Sequence, residues 1–235
     1  MKLDILAFGS HPDDVELSCS GTILKHISQG KKVGIIDLTR GELGTRGTAS
    51  GRAKEAMAAA KILGVEFREN LEMEDGFFQN DKKNQLKVIQ KIRRYKPDVV
   101  LANALSDRHP DHGRGAMLVA DVCFLSGLIK IATKLNGKQQ DAWRPKAVYH
   151  YIQYRKHKAD FAVDISHFFE KKMESIKAFS SQFYKPGSTE PGTLISQKDF
   201  FDYIRTREKE YGQLIDAAYA EGYNVMEEYK GDILI

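Results

Sequence analysis

Cysteine is scarce: Cys19 and Cys123 are the only two in 235 residues, and their spacing matches no zinc-binding cysteine motif. A disulfide-stapled scaffold is thereby excluded, and the count fits a reducing cytosol. Each cysteine falls in an apolar, helix-patterned stretch, where a thiol is expected to be buried. Charge of one sign is also lacking, since 36 Lys and Arg against 32 Asp and Glu leave a net +4. Basic pairs such as Lys31-Lys32, Lys82-Lys83 and Lys171-Lys172 are dispersed. They form no stripe of the kind nucleic acid requires, although a pI near 8.8 suits anionic small molecules. No apolar run approaches the ~20 residues of a membrane span. The chain opens on a strand pattern, without a basic segment leading into an apolar one, so a signal peptide is not expected. No repeat, linker or low-complexity segment divides it. The expectation is a single cytoplasmic domain over residues 1–235.

Short apolar runs alternate with helical patterns through the first half. Strands are expected at 3–9, 32–39, 65–73 and 98–105, and helices at 15–27, 52–63, 84–95 and 116–131. Further on, strands are expected at 147–154 and 161–165, helices at 167–179 and 199–221, and a polar surface connection at 134–144. This alternation predicts an α/β fold, Rossmann-like, with a mostly parallel sheet and helices on both faces.

Three polar loops follow three of the apolar runs: His11-Pro12-Asp13-Asp14, the glycine-rich segment from Arg40 to Gly51, and Arg108-His109-Pro110-Asp111-His112. Ligands of open α/β sheets bind outside the carboxyl ends of the strands, so these loops are expected to gather at one edge. In a chain turning into a helix, His11 and Asp14 share one side, which leaves Asp13 pointing elsewhere. Together the loops offer two or three imidazoles and two or three carboxylates, the donor types of a catalytic zinc with an open position. A single Asp-Asp pair at a helix start can also serve only as a cap or a partner for the helix dipole. Two His/Asp clusters after strands of one sheet point instead to a metal.

The motifs resemble those of the PIG-L/LmbE-like metal-dependent deacetylases. The likeness is carried by the strand into His11-Pro12-Asp13-Asp14-Val15-Glu16, by residues 38–47, by Asp75-Gly76 and by His109-Pro110-Asp111-His112, and extends more weakly from Thr193 to Gly222. Residues 40–47, 205–212 and 219–223 are most similar to the members that deacetylate N-acetylglucosaminyl-malate in bacillithiol synthesis. Residues 17–21 depart from the more glycine-rich turn of relatives. The resemblance implies that His11, Asp14 and His112 hold Zn2+, with Fe2+ as an alternative, and that Asp13 is the general base. It implies that His109, kept protonated by Asp111, assists at the oxyanion. Arg52 and Arg108 are implied to bind the substrate, with Arg46 a weaker candidate. It also implies a small amino-sugar substrate and a homo-oligomer, trimeric or hexameric.

Other readings share these residues. A two-His-one-carboxylate site also serves non-haem iron oxygenases and phosphoesterases. The former favour β-barrels, and a two-metal phosphoesterase needs more bridging ligands than these loops supply. Another N-acetylglucosaminide, such as a chitooligosaccharide, fits the same chemistry. A non-catalytic module binding an anionic sugar would have no use for Asp13. His26, His150, His157 and His167 are expected to be structural, and residues 184–191 a mobile connection rather than a rim over the site.

Overall fold

A computed structural model describes residues 1–226. The last nine residues of the expected 1–235 domain therefore lie outside the described part. The elements run β1 (Ile5–Gly9), α1 (Asp14–Ser28), β2 (Val33–Thr39), α2 (Ala49–Leu63), β3 (Phe67–Met73), α3 (Lys82–Tyr95), β4 (Val99–Ala102) and α4 (Pro110–Leu125). A hairpin, β5 (Lys134–Leu135) and β6 (Lys138–Gln139), precedes β7 (Ala147–Tyr151) and β8 (Phe161–Asp164). Then come α5 (Phe169–Lys177), α6 (Phe200–Gln213) and β9 (Ala220–Asn224).

Among the described residues, seven strands form one sheet in the order β3-β2-β1-β4-β7-β9-β8. The first five are parallel, and β9 runs antiparallel to both neighbours. β1 and β2 are buried along their whole length, the continuous apolar pattern of strands covered on both faces. Successive side chains of β1 point to opposite faces. Leu6 and Phe8 pack with Val88, Ile92, Leu118 and Val122 of α3 and α4. Ile5 and Ala7 pack with Val15, Cys19 and Ile23 of α1. Both cysteines are buried. The expected α/β architecture, mostly parallel with helices on both faces, is the one observed.

Three expectations are corrected. The helix expected from Ala116 begins at Pro110 and ends at Leu125. Proline is favoured in the first helical turn because its missing N–H would have no helical partner there, so Asp111 and His112 sit on a helix rather than in a loop. The helix expected over 199–221 stops at Gln213. The chain then reverses through Asp216, whose φ is 54°, and residues 220–224 form the strand between β7 and β8. The connection expected at 134–144 contains the β5–β6 hairpin.

The strand order places β1 beside both β2 and β4, so the chain leaves β1 and β4 toward opposite sides. A crevice opens outside the carboxyl ends of these two strands, at the switch in strand order. His11 follows β1 and His112 follows β4, and the topology brings them to that crevice.

Candidate metal centre and its surroundings

The first polar loop ends in a strained turn. Asp13 has φ 120° and ψ −23° at the N-terminus of α1, a region that costs a non-glycine residue about 1–3 kcal/mol. The turn separates the two acidic side chains. Asp14 begins α1, and its Oδ2 accepts the backbone N–H of His11 at 2.9 Å. Asp13 swings away, and its Oδ2 lies 3.1 Å from Nη2 of Arg52.

Two imidazoles converge on Asp14. His11 Nδ1 is 3.6 Å from Asp14 Oδ2, and His112 Nε2 is 3.1 Å from Asp14 Oδ1. The outward nitrogen of each ring is held by carboxylates. His11 Nε2 faces Asp75 Oδ1 at 3.0 Å and Asp111 Oδ2 at 3.3 Å, while His112 Nδ1 meets Asp107 Oδ2 at 2.6 Å. A histidine ligand ordinarily has its second nitrogen held in this way. Among the described residues, His11, His109 and His112 bring ring nitrogens within 4.8 Å of one another, and His11, Asp75 and Asp111 do the same with their donor atoms. The donor set therefore suits a divalent metal of borderline softness.

The protonation of the metal-free groups expresses the same excess of negative charge. Burial opposes charging His112, but the Asp14 carboxylate and the hydrogen bond His112 donates to Asp107 lift it to about 9. Burial also opposes His11, and the hydrogen bonds to Asp111, Asp14 and Asp75 still raise it well above the usual range. Against burial, the two imidazoles hold Asp14 well below a normal carboxylate, and His11 holds Asp75 at about 2. A bound cation would take the place of the two imidazole protons.

Asp13 is different. Burial raises it to about 7; the Arg52 guanidinium opposes the rise, and the Asp14 charge adds to it. A carboxyl group poised there can give up and take back a proton near neutral pH.

Several residues beyond the expected ligands complete the surroundings. Gln153 Nε2 donates to Asp14 Oδ1 at 3.1 Å, and Asn103 Nδ2 donates to Asp14 Oδ2 at 3.0 Å. Asp75 accepts the Leu43 N–H at 2.9 Å, tying the glycine-rich loop to the site. At Gly115 a Cβ would collide with the Ser10 hydroxyl, so only glycine lets α4 approach the end of β1 this closely. Asp75 was marked in the sequence only as part of the Asp75-Gly76 resemblance, without a role, and Asp107 only by its place beside the second His/Asp cluster. Asn103 and Gln153 had none.

The other expected site residues are placed as follows. His109 caps α4, its Nδ1 accepting the Asp111 N–H at 3.2 Å. The expectation that Asp111 keeps His109 protonated is not met. The Asp111 carboxylate is turned to the Gly76 N–H at 2.8 Å, to Arg114 and to His11. His109 is itself held below its usual range by burial and by the charges of His11 and His112. Arg52 is buried and engaged with the carbonyls of Pro12 and Gly41 as well as with Asp13. Arg108 is exposed, 5.7 Å from the centroid of the Tyr154 ring. Arg46 is used up on the backbone of Ser181, Phe183 and Pro191 and on Glu190, so residues 184–191 are tied to the glycine-rich loop. His26, His150 and His157 each bond a backbone carbonyl.

Known proteins resemble this chain in sequence and fold. The family described as PIG-L, GlcNAc-PI de-N-acetylase, matches residues 6–123. Diacetylchitobiose deacetylase of Thermococcus kodakarensis is 28% identical over 232 residues, spanning 93% of this chain and 81% of that protein. A conserved protein of Thermus thermophilus superposes with a TM-score of 0.84 at 32% identity, over 97% of both chains. N,N'-diacetylchitobiose deacetylase of Pyrococcus horikoshii does so with a TM-score of 0.80 at 25% identity, over 94% of this chain and 83% of that one. On the family match over half its length, and on relatives matched almost end to end, the chain belongs to the PIG-L family and is a deacetylase.

Proposed function

We propose that the protein hydrolyses the N-acetyl group of an N-acetylglucosaminyl conjugate, with a divalent metal held by His11, Asp14 and His112. The observation that carries the reading is the convergence of His11 Nδ1 and His112 Nε2 on the Asp14 carboxylate, beside an Asp13 poised at about 7. Bound there, zinc would lower the pKa of its water and polarise the amide carbonyl. Asp13, turned away from the ligand atoms, takes the proton from the attacking water and delivers it to the leaving amine. His109 accepts a hydrogen bond at Nδ1, so its neutral ring carries its proton on Nε2, available to the developing oxyanion. Arg52 holds Asp13 and the strained turn in place. The products are acetate and a free amino sugar.

For the substrate we propose N-acetylglucosaminyl-malate. The likeness of residues 40–47 and 205–212 to enzymes acting on that conjugate supports it, as does the exposed Arg108, whose guanidinium suits a carboxylate. A second reading, N,N'-diacetylchitobiose, is favoured by the names of two relatives. Amine release from each compound and from N-acetylglucosamine, by metal-stripped and zinc- or iron-restored protein, separates them. Metal-dependent release favouring the malate conjugate supports the first reading, and preference for the disaccharide replaces it with the second. Absence of release from all three refutes both.

A further inference from the structure

None of the residues named above at the candidate metal centre comes from the two C-terminal segments that resemble family sequence, residues 205–212 and 219–223. Three of their charges, with Lys172 of α5, form a buried network of four behind α1. Glu221, on β9, is 0% exposed. Its carboxylate accepts the N–H of Gly21 at 2.8 Å and of Thr22 at 2.7 Å, in the interior of α1. Lys172 joins Glu221 at 2.6 Å and Glu208 at 2.7 Å. Glu208 in turn accepts from Arg207 at 2.7 Å. The two acids and two bases cancel.

Arg207 also donates through its two terminal nitrogens to two backbone carbonyls, those of Leu17 and Gln153. Both segments hold Asp14. Leu17 lies one turn beyond Asp14 on α1. Gln153 bonds Asp14 Oδ1 through Nε2, while its Oε1 accepts from Asn103 Nδ2 at 2.9 Å and from the Ala104 N–H at 3.2 Å. Each oxygen of the Asp14 carboxylate thus receives one side-chain amide donor, and the backbone beneath one of those amides is pinned by the same guanidinium that pins the helix bearing Asp14.

We infer that Gln153 and Arg207 are positioning residues for the Asp14 carboxylate as a metal ligand, Gln153 by direct hydrogen bond and Arg207 through α1 and the Gln153 backbone. The inference rests on the proposed role of Asp14. A ligand carboxylate left to rotate loses affinity for its metal, and loss of such an outer partner costs about 10- to 100-fold. A network serving only to neutralise buried charge would affect folding and leave metal binding alone.

The test is zinc affinity of the full-length, metal-stripped protein, by competition with a chromophoric chelator well below the melting transition. The absorption spectrum of the cobalt(II)-loaded protein reports ligand geometry alongside it. Gln153→Met keeps the side chain's length and removes the amide, and Arg207→Lys keeps the charge and gives up the forked contact with two carbonyls. The expected result is zinc binding about 10- to 100-fold weaker in Gln153→Met, a changed cobalt spectrum, and a smaller loss in the same direction for Arg207→Lys. Should Arg207→Lys fail to fold, Gln153→Met alone decides. Unchanged affinity and an unchanged cobalt spectrum in Gln153→Met overturn the inference while leaving Asp14 a ligand. Failure of the unaltered protein to bind zinc overturns the ligand assignment itself, and the inference with it.

Discussion

Asp107 Oδ2 lies 2.6 Å from His112 Nδ1, which leaves Nε2 as the ring nitrogen facing Asp14. The pair fixes both the tautomer and the angle of the imidazole. Asp107→Asn removes the charge and leaves the ring free to turn. Zinc affinity is expected to fall about 10- to 100-fold, measured by chelator competition on folded protein. Undiminished affinity would mean that His112 needs no such partner or is not a ligand.

Metal binding should release protons. In the metal-free protein His112 titrates at about 9 and His11 well above its usual value, so both rings are protonated at pH 7 and must lose that proton to bind a cation. Calorimetry at pH 7 in buffers of different ionisation enthalpy should show the release, and affinity should climb as pH rises toward 9. The same shifts govern stability without metal. Because the folded pKa of His112 lies above its unfolded value of about 6.5, its contribution is complete below that value and is lost as pH rises through about 9. Thermal melts of metal-free protein across this range will show the decline.

Asp13 works as a base only when ionised. Activity should therefore fall as pH drops through its pKa, about 7 without metal and lower beside a bound dication. Asp13→Asn should reduce kcat by about 10²- to 10⁴-fold while zinc stoichiometry is retained. A variant with full turnover would remove Asp13 from the chemistry and revive the sugar-binding module.

Arg52 offers a sharper distinction. Its guanidinium depresses the Asp13 pKa, so Arg52→Gln should move the acid limb of kcat to higher pH. A residue that only clamps substrate would raise KM and leave that limb in place.

Beneath the site, Arg68 joins Asp37 at 2.7 Å and Glu16 at 2.5 Å, all buried. Arg68→Met strands two carboxylates and should cost about 3–5 kcal/mol in denaturant unfolding. A loss below about 1 kcal/mol would show that the acids find other partners.

The sheet and its layers were legible in the chain because parallel strands buried on both faces read as unbroken apolar runs, as in residues 33–39. The two His/Asp clusters were legible because proline and paired charges at the ends of such runs have few structural uses. Where the reading failed, the chain's local pattern was ambiguous. Residues 219–223 continue a helical composition, and only pairing with β7 and β8 makes them a strand. Arg52, which the resemblance implies binds the substrate, has its guanidinium turned inward onto Asp13, a contact that no local pattern in the sequence marks.

By itself the sequence determined which residue types reach the crevice, because strand and loop positions follow from hydrophobic pattern and turn chemistry. It also determined that Asp13 and Asp14 part company, through the turn into a helix. Only tertiary structure decided which partner each charge meets. Asp111 turns to His11 and Gly76 rather than His109, Asp107 takes His112, and Gln153 reaches Asp14 from the segment after β7. These choices depend on side chains from separate elements meeting within about 3 Å, where hydrogen bonds form and burial makes an unpaired charge costly.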